Sequence, residues 1–173
     1  MIEIIAAAFA TGILVKFVDD IHDKPMKRFK NVEMFFGFSY GLLLSYVALK
    51  SADVANLWIA VVLANFLAGK LDSPGHRIGA FSMFAILFIL GFPMLQPALF
   101  LIFLAAAYAD EFFSDLADAK KIKNKTIAKI ILCRPFLEVA AFVAAAITAT
   151  WIIFASIIAF DLGYVATKKL ITA

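Results

Sequence analysis

Seven stretches of this chain are apolar for about the length that a helix needs to cross a bilayer. They run over residues 2–18, 32–49, 54–70, 78–95, 97–113, 127–148 and 151–168. The hydrocarbon core is about 30 Å thick, so a span takes about 20 mostly apolar residues. Composition makes the same demand. Apolar residues are 64 % of the chain, charged residues 17 %, and the mean hydropathy is +0.96, whereas a soluble domain has about a quarter of its residues charged. A chain of 173 residues has too little interior to hide so much apolar surface from water. The sequence therefore predicts an all-α, polytopic transmembrane bundle of about seven spans, forming a single domain over 1–173.

Phe136 to Phe160 is almost unbroken apolar sequence. It reads as two spans with a turn around Thr148–Trp151 rather than one long helix. The first run is read as a span and not as a signal peptide, because Glu3 is its only early charge and no basic segment precedes it. Ser73-Pro74-Gly75 and Phe92-Pro93 read as chain reversals.

Charge separates the two ends of such a bundle. Lys24, Lys27, Arg28, Lys30, Lys70, Arg77, Lys120, Lys121, Lys123, Lys125, Lys168 and Lys169 fall in the turns after spans one, three and five or at the carboxyl end. The opposite turns hold Lys50, Glu3 and Asp53. By the positive-inside rule the basic end is cytoplasmic and the amino terminus is outside. The net charge of +3 thus belongs to membrane edges and anionic lipids, not to nucleic acid, and the expected location is the cell membrane. One cysteine, Cys133, excludes an internal disulfide framework and a multi-cysteine zinc site.

Three cytoplasmic turns carry more than topology needs. In the first, Asp19 and Asp23 share a helical face, with Asp20 beside them. The second runs from Lys70 to Arg77 and includes His76. In the third, Glu111, Asp115 and Asp118 stand at i, i+4 and i+7, a like-charge stripe that destabilises a helix unless something neutralises it. A divalent cation does that, and magnesium takes carboxylate oxygens together with substrate phosphates. Asp19, Asp20, Asp23, Glu111, Asp115 and Asp118 are the candidate metal ligands. Lys27, Arg28, Lys70 and Arg77 are the candidate anion-binding residues. Solvated acidic turns also end ordinary spans, and His22 and His76 read as polar turn residues. Within the membrane, Arg134 and Glu138 form an i,i+4 pair, and Asp161 has no sequence partner.

The aspartate segments resemble those of the UbiA-type intramembrane prenyltransferase superfamily. Asp19-Asp20-Ile21-His22-Asp23 is similar to the opening of that family's first aspartate motif, with Lys27 where its last aspartate would stand. Asp115-Leu116-Ala117-Asp118-Ala119-Lys120-Lys121 is similar to the second motif, four spans later, with a shorter spacing. The family typically has nine helices. The resemblance implies a Mg2+-dependent membrane transferase acting on an isoprenoid diphosphate, with Asp20, Asp23, Asp115 and Asp118 as catalytic residues. Phe35, Phe36, Phe66, Phe81 and Phe84 are candidates to line the tail. It also implies that helices one and five approach each other, with Asp20 or Asp23 within about 10 Å of Asp115 or Asp118 and the Lys70–Arg77 turn beside them. Asp19-Asp20 followed by Lys27-Arg28 is similar, too, to the Asp-Asp loop of polyprenyl-phosphate sugar-1-phosphate transferases. Two other readings compete: a small transporter or ion pathway through Arg134, Glu138 and Asp161, and a subunit whose acidic face docks a partner.

Overall fold

A computed structural model describes residues 1–23 and 30–172, and they form an all-helical fold. Lys24, Lys27 and Arg28 lie outside the described residues. Eight helices follow in order: α1 (Ile2–Asp23), α2 (Lys30–Lys50), α3 (Ala52–Leu67), α4 (Pro74–Leu90), α5 (Pro97–Asp118), α6 (Lys125–Ile131), α7 (Pro135–Thr148) and α8 (Ile152–Thr172). There are no strands among the described residues.

By length and composition, α2 over Val32–Lys50 is long and apolar enough to cross a bilayer. The α6–α7 pair reaches that length only together and is bent by 58°. Helices α3 and α4 are apolar but shorter. Helices α1, α5 and α8 have 22, 22 and 21 residues, but Lys16, Asp19, Asp20, Asp110, Glu111 and Asp161 interrupt their apolar runs. The seven expected spans thus reduce, on this criterion, to one or two.

Two boundaries depart from expectation for local reasons. The run 127–148 is not one helix. It breaks at Cys133–Arg134, because the residue before Pro135 is pushed out of the right-handed helical region. Arg134 sits instead at φ 53° and ψ 57°, a left-handed conformation that costs a non-glycine residue about 1–2 kcal/mol. Ser73-Pro74-Gly75 is more than a reversal: it starts α4. Ser73 accepts from the His76 amide at 3.0 Å, and Pro74 takes the first helical position, where no amide is missed. The turn expected at Thr148–Trp151 is present between α7 and α8, and Phe142 packs across it against Trp151 and Phe154.

The bundle is held by two close helix crossings. On α2, Gly37 and Gly41 face Gly75 and Gly79 on α4, and a Cβ on any of the four would run into the other helix. Gly12 on α1 and Gly163 on α8 meet in the same way, each against the other helix's backbone. Glycines four apart let helices approach until their backbones touch, the packing device of helices that gain nothing from excluding water. The buried interior holds Trp58, Phe103, Met83, Leu87 and Ile153, but also Thr11, Ser45, Asn56, Ser82 and Ser156. Phe35, Phe81, Phe88, Ile89, Ile147 and Leu162 point outward and are more than half exposed.

Candidate functional site

One end of the bundle gathers the ionisable side chains. Asp19, in the last turn of α1, accepts from His76 Nε2 at 2.8 Å and from the Tyr164 hydroxyl at 2.6 Å. A carboxylate at that distance requires the histidine proton on Nε2. Nδ1 faces the Tyr40 hydroxyl, 3.1 Å away, and that hydroxyl also donates to the His76 carbonyl at 3.2 Å. This relay ties α1, α2, α4 and α8 together. Burial pushes the Asp19 carboxyl up, but the hydrogen bonds from His76 and Tyr164 and the charges of His76 and Lys16 outweigh it and hold it below its ordinary value. Lys16 also donates to Asp20 Oδ1 at 2.9 Å and lies over the Tyr164 ring, 5.4 Å from its centroid. Buried Glu33 accepts from the Gly75 amide at 3.0 Å, so it caps α4 from α2.

The second acidic segment is neutralised from other directions. Glu111 is buried and takes both arms of the Arg134 guanidinium, Nη1 at 2.9 Å and Nη2 at 3.1 Å. Asp115 pairs with Lys70. Asp110 accepts from the Phe136 amide at 3.0 Å and the Leu137 amide at 2.8 Å, capping α7 from α5. The sequence pairs Arg134 with Glu138; the backbone turn at Arg134 gives it to Glu111 instead. Glu138 stands beside Asp161 of α8.

The loop between α3 and α4 and the first turn of α4 touch both acidic segments, through Lys70 to Asp115 and through His76 to Asp19. Helices α1 and α5 themselves are not packing partners. The first packs on α8 and α2, the second on α3 and α7. The i, i+4, i+7 stripe on α5 exists, and bases on neighbouring elements relieve it. Asp23 and Asp118 end their helices exposed.

Asp19, Asp20, Glu111 and Asp115 are each engaged with protein donors. Among the described residues, no three His, Cys, Asp or Glu side chains gather as metal ligands. Asp20 Oδ2 is buried without a hydrogen-bond partner, which leaves one acceptor there.

Beside the loop, α3 and α4 enclose an apolar groove of about 570 Å³. Val62, Phe66, Leu71, Phe81 and Phe84 line it, and Arg77 is the charged residue of its wall. The Arg77 guanidinium donates to the carbonyls of Leu71 and Asp72, both at 2.9 Å. Of the five phenylalanines singled out in the sequence, Phe66, Phe81 and Phe84 therefore line one groove. Phe36 stacks instead on Phe17, with centroids 5.3 Å apart, and Phe35 is exposed on α2.

His76, Tyr40, Tyr164 and Lys16 were not legible as a cluster, since their partners lie on separate helices. The glycine pairs Gly37/Gly41 and Gly75/Gly79 and the Arg134-Pro135 break did carry sequence signals, in their spacing and in the proline. No family model, no curated protein and no solved structure matches this chain.

Proposed function

We propose that this chain is an integral membrane protein that binds an amphiphilic lipid phosphate at its charged, cytoplasmic end. In its fuller form the reading has about seven spans with the amino terminus outside. The extent of exposed apolar surface supports it: beside an apolar core that also buries Ser, Thr, Asn and acidic groups, large aromatic and aliphatic residues such as Phe81, Phe88, Ile89 and Ile147 face outward. Soluble proteins rarely present apolar patches of that extent. The short and bent helices require a bilayer that thins locally or flanking residues that snorkel to its surface.

The groove carries the ligand assignment. Its aromatic wall suits an isoprenoid or acyl chain, and Arg77 supplies a cation where the headgroup would meet water. The substrate class that follows is an isoprenoid diphosphate, with magnesium entering as part of the diphosphate complex and transfer to an acceptor as the activity. Lys70, in the loop before α4 and paired with Asp115 of α5, is the second cation available to that headgroup.

The test is thermal unfolding of the full-length protein in detergent with geranylgeranyl diphosphate, with and without magnesium. A ligand-dependent rise in unfolding temperature, reduced by Arg77→Gln and by Phe81→Ala but not by Lys50→Gln, supports the reading. No rise under either condition overturns it. Transfer activity is then read separately in Asp20→Asn and Asp115→Asn, both of which should lose it.

A second reading has its own observation. Glu111, Arg134, Glu138 and Asp161 connect α5, α7 and α8 through ionisable groups, and intramembrane groups of this kind mark ion or proton routes. Proteoliposomes showing ion or proton flux that Asp161→Asn abolishes favour this route over lipid-phosphate transfer.

A further inference from the structure

We propose that α6 and its approach segment form an interfacial anchor that binds the anionic headgroups of the leaflet. The inference rests on the membrane reading above but not on the groove or its ligand. Between Asp118 and Glu138 the chain carries Lys120, Lys121, Lys123, Lys125 and Lys129 and no acidic residue. The helix within that run is short and divides cleanly. Lys125 and Lys129 share one face at i,i+4, while Ile127, Ile130 and Ile131 fall on the other.

Most of that aliphatic face is left open by the protein. Ile127 is 48 % exposed and Ile130 55 %, while Ile131 is half-buried, and the main packing partner of α6 is α5. Asn124 caps the helix through the amides of Thr126 and Ile127, so the two faces are built by a formed helix and not by a loose turn. The 58° bend at Cys133–Arg134 turns α6 away from the line of α7, as a segment lying along the surface requires. Lysines above an aliphatic face match anionic headgroups above acyl chains. The arginine at the bend is already committed to Glu111, which fixes the anchor's angle to the bundle.

Cys133, the single cysteine, is exposed at the end of α6 and serves as the reporter. An environment-sensitive fluorophore is attached to it in the full-length protein, which is reconstituted into vesicles of phosphatidylcholine alone or mixed with phosphatidylglycerol. The expected result is blue-shifted emission and quenching by shallow nitroxide lipids in the anionic vesicles. Both effects should weaken as salt rises and be lost in Lys125→Gln/Lys129→Gln. Lys50→Gln, at the other end of the bundle, should leave them unchanged. Identical emission in the two lipids, or emission indifferent to salt and to the paired lysine substitution, overturns the anchor. Resistance to alkaline carbonate extraction is measured on the same vesicles. Extraction of the protein removes the membrane reading itself, whereas resistance without a lipid-dependent signal removes only the anchor.

Discussion

Asp19 accepts from His76 at 2.8 Å across 57 positions of sequence, and this contact joins the end of the first helix to the start of the fourth. Both side chains are largely removed from solvent, at 27 % and 16 % exposure. Removing His76 takes one of two donors from Asp19, and removing the Asp19 carboxyl strands the His76 Nε2 proton, which for a buried group costs about 1–3 kcal/mol. Asp19→Ala and His76→Ala should each lower the unfolding temperature in detergent. The double substitution should cost less than their sum, and additive costs would show that the two groups do not interact.

The same carboxylate gives a pH dependence. Asp19 lies beyond the apolar run 2–18, and its folded-state value is lowered relative to the unfolded chain. Its stabilisation is therefore fully present above the ordinary aspartate value of about 3.9 and disappears as pH falls through the lower folded value. Unfolding of wild type and Asp19→Asn compared down the acid range should show a gap that narrows only below about pH 4. A gap that narrows already near neutrality would assign it to another group.

Glu111 and Arg134 make the strongest ion pair by geometry, with two parallel contacts and the carboxylate buried. Arg134→Ala strands that charge, and breaking a buried pair from one side costs about 3–5 kcal/mol, with the exposed guanidinium placing this case toward the lower figure. Adding Glu111→Gln should recover much of the loss. Failure of that rescue in thermal unfolding would move the effect to the backbone turn at Arg134.

At the α2–α4 crossing, Gly79→Ala puts a methyl group into the Tyr40 ring, and Gly37→Ala puts one into the Gly75 carbonyl. Overpacking of this kind costs about 1–3 kcal/mol. Since Tyr40 also faces His76, Gly79→Ala should additionally disturb the Asp19 relay, while Gly37→Ala meets backbone and should disturb the crossing alone. The double-substitution coupling of Asp19 and His76, remeasured in each background, separates the two effects.

How much of this was legible before folding depended on the range of each signal. Helical character was written in composition and in long apolar runs, and the α7–α8 reversal in the small polar residues around Thr150. Ends of elements were legible where a local cap wrote them, as at Ser73-Pro74. Lys70 and His76, both in the Lys70–Arg77 segment, reach the two acidic segments, and their shared end of the bundle was legible because charge along the chain is a one-dimensional property. Partner choice was not. Nothing near Asp19 names Tyr164, 145 positions away, and the spacing that suggested Arg134 with Glu138 assumed a helix that Pro135 interrupts. The stripe on α5 demanded neutralisation, but bases on other elements meet that demand as well as a cation does.

The pairing of α1 with α8 bears on how the protein is made. Gly12 and Asp19 find Gly163 and Tyr164 only after the ribosome has produced seven further helices. Until then the first helix has Lys16 and Asp20 satisfied by each other and the face around Gly12 open. That intrahelical pair is thus a placeholder, neutralising two charges of an early helix while its permanent neighbour is still being synthesised. Nascent chains halted before Tyr164 should leave the Gly12 face of α1 open to chaperones, and its protection should come with α8 and not with any helix between.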